Sequence, residues 1–470
     1  MKKFLSPLFL LAALCMALPS LAQEPDGPLQ RKTDSLFAGL DKEGSPGAAV
    51  LVVKEGKILH RRGYGMANLE HKIPVTPETV FDIASLSKQF AGMAVSMLVE
   101  KGAVSLEDDI RKYIPELPVF RHKITIAHLL HHTSGLRDWP GTLALAGWRM
   151  DDIISFDQIL EMAFHQQDLN FVPGSEQLYS NTGYNLLAEL VQRVSGQTFR
   201  EWTDTHIFSP LGMTGTHFQD NHAEVVPAKA YGYARGRNGK YEAVPNGLTA
   251  LGSSSLFTSI DDLAKWVRNF EDPKVGGKAV IERMQQQGVL NNGKQISYAF
   301  GLDIGEYRGL KTLGHSGGWA AFSTYLLHFP AQRFSVVVLM NHSPANPGQA
   351  AYHIADIYLA GELQTQRQAA VKEEDQPSVD LPVSLLDEYT GTYRLGPARY
   401  VTVTREGGQL MARATAEQTV PMTARSDSAF WVKAYGSSIV FRRDNSGRVK
   451  AFGYRGTTCP KVETVSLDAM

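Results

Sequence analysis

The chain has 470 residues, with 47 lysines and arginines against 48 aspartates and glutamates, for a formal net charge of −1. That balance gives no sign of nucleic acid or an acidic polymer as a partner. The only cysteines are Cys15 and Cys459.

At the N-terminus, Lys2 and Lys3 precede an apolar run from Phe4 to Leu18, followed by Pro19-Ser20-Leu21-Ala22. The pattern predicts a secretory leader cleaved after Ala22. The run is too short for a membrane anchor, and Pro7 interrupts it. Leu14 is bulky beside Cys15, which argues against lipid attachment. No later segment is long and apolar enough to span a membrane, so a soluble periplasmic or secreted chain is expected. Without Lys2 and Lys3, 45 basic residues face 48 acidic ones, a net −3. Cys459 is then alone, no internal disulfide can form, and the fold must rest on its core. A chain of this length can build one.

Leu29, Leu36, Phe37 and Leu40 share one helical face. Ala48 to Val53 and Ile58 to Tyr64 flank Lys54-Glu55-Gly56 and predict a β-hairpin. Phe90 to Val99 is apolar nearly all round, as in a buried helix. Tyr184, Leu187, Leu190, Val191 and Val194 form another helix face, ended by Gly196. Ser259 with Asp262 resembles an N-cap opening a helix through Trp266. Phe322 to Phe329 and Phe334 to Met340 are aromatic and β-branched, which predicts late strands. Strands at both ends with helices between them predict one sheet built from both termini, plus a helical subdomain.

Gln364 to Asp380 is polar, charged and carries Pro377, as in a linker. Beyond it come short strands at Tyr400 to Thr404, Leu410 to Ala412, Phe430 to Lys433 and Ile439 to Phe441. Gly407-Gly408 and Asn445-Ser446-Gly447 supply turns. That pattern suits a small barrel or sandwich.

Three segments carry the chemistry. In Ser85-Leu86-Ser87-Lys88 a serine and a lysine stand three apart, which on a helix puts them on one face. The helix start favours negative charge developing at Ser85. A lysine in an apolar pocket loses part of its preference for the proton and can act as a base. Alone the signal is weak, because composition yields a Ser-x-x-Lys match roughly once or twice in such a chain. Tyr179-Ser180-Asn181 comes second. A tyrosine buried near a lysine can hold a lowered pKa and relay protons, and an asparagine can both donate to and accept from a substrate amide. Gly314-His315-Ser316-Gly317-Gly318 comes third. Its small residues would let a substrate lie along a strand edge.

In this order, Ser85-x-x-Lys88, Tyr179-x-Asn181 and His315-x-Gly317 resemble the serine β-lactamases and penicillin-binding proteins. The likeness is to the class C β-lactamase branch, which includes D-alanyl-D-alanine carboxypeptidases, D-aminopeptidases and esterases. Ile124 to Leu136, Pro173-Gly174-Ser175, Tyr184 to Leu187 and Gly252 through Leu263 are similar to stretches typical of that branch. The resemblance covers about residues 30 to 360. Leu386 with Tyr389 to Tyr393 is similar to small β-domains appended to some members.

The resemblance implies an α/β transpeptidase-like fold: an antiparallel sheet flanked by helices, a helical subdomain, then an all-β domain. It divides the chain into a leader (1–22), a hydrolase domain (23–363), a linker (364–382) and a small barrel or sandwich (383–470). It also implies that Ser85 is acylated while Lys88 and Tyr179 share the proton. Asn181, His315, Ser316 and Gly317 would bind substrate, with the N–H groups of Ser85 and Gly318 as the oxyanion hole. His315 stands where class C β-lactamases carry lysine, which shifts weight from β-lactams toward D-amino-acid peptides or small esters. The partner is then a small-molecule or peptide substrate, and no cofactor is called for; oligomeric state is left open.

Other readings use the same residues. Gly314-x-Ser316-x-Gly318 also fits a nucleophile elbow, but Phe322 to Leu327 reads as a strand where an elbow needs a helix. His128, His131 and His132 have a spacing that can bind metal, yet Leu129 and Leu130 point to a packed helix end. β-Lactam hydrolysis is one alternative, and a catalytically dead binding protein on the same scaffold is another.

Overall fold

A computed structural model describes residues 27–364 and 378–462, except 237, 397–398, 415–418, 436, 445 and 455–456. The expected leader and most of the expected linker lie outside the described residues, as does Asn445 of the last turn.

Helix α1 (Pro28–Phe37) opens on a proline whose fixed φ suits a first turn. Phe37 is buried and stacks on Tyr64 at 4.9 Å. Leu29 and Leu36 remain exposed, so the expected apolar face of this helix is only half covered. Strands β1 (Ala48–Lys54) and β2 (Lys57–Tyr64) form the expected hairpin. Its tip is Glu55-Gly56, both at positive φ, as a tight two-residue turn requires. Helix α2 (Lys88–Glu100) is buried on nearly every side. Helix α3 (Asn181–Ser195) is capped by Ser180 and ended by Gly196 at φ +72°. Helix α4 (Ile260–Glu271) is capped by Ser259, whose hydroxyl accepts from the Asp262 N–H. Strands β3 (Asp303–Tyr307), β4 (Leu310–Trp319), β5 (Phe322–Phe329) and β6 (Phe334–Met340) follow, then helix α5 (Pro347–Tyr358).

The six strands form one antiparallel sheet in the order β3-β4-β5-β6-β1-β2. The N-terminal hairpin thus completes a sheet otherwise made by the late strands. Ala49, Leu51 and Val53 pack toward the helical layer with α2, while Ala48, Val50 and Val52 join the cluster on the opposite face. A strand covered on both faces reads as an unbroken apolar run rather than an alternation.

Beyond residue 378 lies helix Val383–Tyr389, then eight strands from Gly391 to Val462 that close into a barrel. Its interior is filled by residues such as Tyr393, Val403, Phe430, Phe441 and Phe452. The short helix contributes Leu386 and Tyr389 to this core, with Tyr389 stacked on Phe441 at 4.4 Å. A closed barrel leaves no strand edge unpaired.

Candidate active site

The sequence Asp82 to Lys88 makes a tight entry to α2. Ala84 sits at φ +48°, an uncommon conformation for a residue with a Cβ. Buried Asp82 holds it there. One carboxylate oxygen accepts from the Ala84 N–H at 2.8 Å, and the other accepts from Asn246 Nδ2 at 2.8 Å. Residues Ala84–Ser87 form a 3₁₀ turn rather than the first turn of the α-helix. In that geometry residues three apart eclipse, so Ser85 and Lys88 face each other with Lys88 Nζ 3.1 Å from Ser85 Oγ.

Lys88 has no exposed surface. Its ammonium nitrogen also donates to Asn181 Oδ1 and to the Ser253 carbonyl, each at 2.8 Å. Burial lowers its pKa to about 7, against the opposing pull of Asp138. Near neutrality it therefore exchanges between a charged donor and a neutral base. The Ser253 carbonyl is delivered by a loop that presses on α3. Asn185 ties the loop down through the Leu251 carbonyl and the Ser253 hydroxyl. Gly252, at φ +81°, lies where a Cβ would fall 2.5 Å from the Tyr184 carbonyl.

Tyr179 corrects one expectation. Its ring lies 4.8 Å from Lys88 Nζ and its phenol interacts with Ser85. Desolvation nevertheless pushes its pKa up, and the interaction with Ser85 only partly offsets this. The phenol thus stays protonated near neutrality, and Lys88 is the group whose proton is loosely held. The residue as a whole is 39% exposed, so the ring borders the cleft while its hydroxyl end points inward.

Asn181 begins α3, and its orientation is fixed by Asp138, a residue the sequence did not single out. Asp138 accepts from the Asn181 N–H at 2.6 Å, from Asn181 Nδ2 at 2.9 Å and from the Thr182 N–H at 3.3 Å. It is a carboxylate at a helix N-terminus, supplied from a distant loop. The clamp decides which way the amide faces: oxygen toward Lys88, nitrogen toward Asp138. One Asn181 N–H remains for a substrate.

His315 is buried, and both ring nitrogens are engaged. Nδ1 lies 2.6 Å from the Ser316 carbonyl, and Nε2 lies 2.8 Å from the Tyr298 hydroxyl. A carbonyl only accepts, so the proton sits on Nδ1 and Tyr298 donates to Nε2. Burial, then the nearby Lys88, hold the pKa down at about 3. An ordinary histidine would carry part of a charge near neutrality; this one is a neutral ring. Tyr298, which sequence reading missed, also packs against His132 at 4.3 Å between ring centroids.

Ser316, Gly317 and Gly318 lie within β4. Ser316 and Gly318 are exposed. A Cβ on Gly317 would fall 2.2 Å from the Ile83 carbonyl and 2.3 Å from Thr324 Oγ1. The glycine is thus what lets the strand lie against the turn that carries Ser85. Strand β3 accompanies β4 only as far as Asp303 opposite Gly314. Among the described residues no strand covers the His315–Trp319 edge on that side. Ser316 sits mid-strand, with strand β5 following, so it lacks the strand-to-helix setting of a nucleophile elbow.

The histidine cluster is occupied by structural work. His128 Nδ1 accepts from the Thr125 N–H in a capping box. His131 Nδ1 faces the Tyr298 carbonyl at 3.2 Å. His132, at φ +58°, accepts from the Ser180 N–H at 3.1 Å and packs on Tyr179 at 4.2 Å, which braces the Tyr179 segment. Among the described residues no group of three or more His, Cys, Asp or Glu is placed to hold a metal ion. No described helix is long and apolar enough to cross a membrane.

Comparison with known proteins places this arrangement. The family model described as Beta-lactamase matches residues 33–359, and that of a domain of unknown function, DUF3471, matches 375–466. The chain is 27% identical over 428 residues to penicillin-binding protein 4* of Bacillus subtilis (strain 168), covering 88% of this chain and 93% of that protein. It is 29% identical over 300 residues to a D-aminopeptidase of Gluconobacter oxydans (strain 621H), covering 64% of this chain and 56% of the relative. Among solved structures, the octameric penicillin-binding protein homologue from Pyrococcus abyssi superposes with a TM-score of 0.66 at 24% identity, covering 90% of this chain and 95% of that one.

Proposed function

Because the chain belongs to the beta-lactamase family of serine hydrolases, whose model matches residues 33–359, we propose that it cleaves D-amino-acid peptides or small esters through an acyl-enzyme on Ser85. The observation that carries this reading is the contact between Ser85 Oγ and the buried Lys88 Nζ at 3.1 Å. Lys88 in its neutral form takes the hydroxyl proton as Oγ bonds to the substrate carbonyl carbon. The oxyanion that forms is met by the N–H groups of Ser85 and Gly318. The carbon–leaving-group bond then breaks, and Tyr179 passes a proton to the departing atom while Lys88 resupplies Tyr179. Water attacks the acyl-enzyme by the reverse route and regenerates Ser85.

Asn181 and the free edge of His315–Trp319 hold the substrate backbone in this scheme, with Ser316 and Gly317 lining it. A neutral His315 offers no fixed cation for a carboxylate, which supports peptide or ester substrates over β-lactams. The D-aminopeptidase relative points the same way. The leader-like residues 1–22 support export, and we read 23–363 as the catalytic unit, 364–382 as a linker and 383–470 as a separate barrel domain. The test is a panel of D-residue amides, aryl esters and a chromogenic cephalosporin with wild type, Ser85→Ala and Ser316→Ala. Hydrolysis should vanish in Ser85→Ala and persist in Ser316→Ala. The reverse pattern refutes the assignment.

A further inference from the structure

The free edge of β4 begins where β3 stops, and β3 stops at Asp303. Asp303 lies opposite Gly314, the residue before His315. A substrate laid along His315–Trp319 continues the line of β3, so one of its ends abuts Asp303.

The two ends of this edge differ. At one end Trp319 meets Trp139 edge-on at 5.8 Å, and Trp139 joins Leu143, Ile154, Leu248 and Ala250 in an apolar cluster. At the other end the rings of Tyr179 and His315 lie 6.1 Å apart. The group that protonates a leaving atom must stand on the leaving-group side. If Tyr179 has that role, the leaving group extends past His315 toward Asp303, and the acyl portion extends toward the tryptophans.

Asp303 is an exposed residue, yet protein surrounds its carboxyl closely enough for desolvation to raise its pKa. The strand register puts this partly enclosed carboxyl at the end of the open edge of β4. Ser297 Oγ donates to it at 3.4 Å. Among the described residues no lysine, arginine or histidine nitrogen pairs with it. Its charge also acts on the phenols of Tyr179, Tyr298 and Tyr325. With His315 neutral, the cation at this end of the edge is Lys88, whose nitrogen is taken up by Ser85, Asn181 and the Ser253 carbonyl and not by Asp303.

We propose that Asp303 is a charge filter on the leaving-group side of the cleft, selecting esters and amides whose leaving group carries no free carboxylate and favouring those that bear an ammonium. This deepens the hydrolase reading above and rests on it. It divides the family's chemistries: cleavage that releases a C-terminal amino acid with its free carboxylate is disfavoured, and cleavage that releases a neutral or cationic alcohol or amine is favoured.

The test uses three aryl acetates whose leaving phenol carries a meta carboxylate, carboxamide or aminomethyl group. Wild type should rank them by kcat/KM as aminomethyl, then carboxamide, then carboxylate. The outer pair should differ by roughly a hundredfold, about tenfold for each unit of charge. Asp303→Asn should bring all three within a few-fold, and Asp303→Glu should keep the order. Should Asp303→Asn fold poorly, the wild-type ranking in 1 M salt gives the same information, because screening should compress it. Equal rates on the carboxylate and carboxamide esters in wild type overturn the filter, as does an Asp303→Asn variant with an unchanged ranking. If Ser85→Ala still hydrolyses the carboxamide ester, the hydrolase reading fails instead, and the two failures are distinguishable.

Discussion

Asn181 accepts from Lys88 Nζ at 2.8 Å, and Asp138 fixes the amide so that its oxygen faces the lysine. Lys88, the proposed base, is thus oriented through an asparagine that is itself clamped at both its backbone and its side-chain nitrogen. Asp138 also opposes the burial that lowers the Lys88 pKa. Asp138→Asn should lower kcat about ten- to a hundredfold by loosening this geometry. It should also shift the acid limb of kcat/KM to lower pH, because a negative charge near Lys88 is lost. A pH–rate profile separates this from simple loss of protein, which moves no limb.

The rate should follow the neutral form of Lys88. With its pKa held at about 7, kcat/KM should rise with pH through that value and then level. Lys88→Arg keeps the charge but cannot lose its proton, so activity should fall by about three orders of magnitude or more. Stability carries the same signature. The unfolded chain holds this lysine near 10.4, so between about 7 and that value it binds more protons than the folded one. The Lys88 contribution to stability therefore rises with pH across that window and is at its most unfavourable below it. Urea unfolding of wild type against Lys88→Met should show wild type gaining relative stability from pH 7 to 9.

Gly317 and Gly318 are neighbours with opposite tolerances. A Cβ at 317 meets the Ile83 carbonyl at 2.2 Å, whereas at 318 nothing lies within 4 Å. Gly317→Ala should push β4 off the turn that carries Ser85 and lower kcat about a hundredfold. Gly318→Ala should keep the free enzyme's thermal stability close to wild type. Thermal unfolding beside steady-state kinetics checks both.

His315 should leave no mark on the pH–rate profile between pH 5 and 8, because its pKa sits at about 3. His315→Lys should raise relative activity on carboxylate-bearing β-lactams by adding the missing cation. It should also move the Lys88 limb to lower pH, since like charges disfavour the protonated form. Loss of the Tyr298 hydrogen bond should lower absolute rates on neutral esters. Parallel pH profiles on nitrocefin and a neutral aryl ester measure all three effects.

Local spacing made much of this legible. Ser85 and Lys88 are three apart, and a single 3₁₀ turn brings them into contact. The sheet from both termini followed from where the apolar runs fall. The electrostatics did not, because they depend on burial. Tyr179 and Lys88 are adjacent in space, yet desolvation moves them in opposite senses, tyrosine up and lysine down. Asp138 was hidden for another reason. It acts on Asn181 from 43 positions away, and nothing in Arg137-Asp138-Trp139 distinguishes it from a surface aspartate. Tyr298 lies 17 positions from His315, in an irregular stretch whose path no periodicity foretells.

Acylation of Ser85 is read out by covalent labelling. The full chain should be treated with a fluorophosphonate, digested and mapped by mass spectrometry, with and without prior incubation with a substrate ester. One adduct per chain is expected, on the peptide carrying Ser85, slowed by the ester and absent from Ser85→Ala. An adduct on the peptide carrying Ser316, or hydrolysis by a chain that never labels, would rule out Ser85 as the acylated residue.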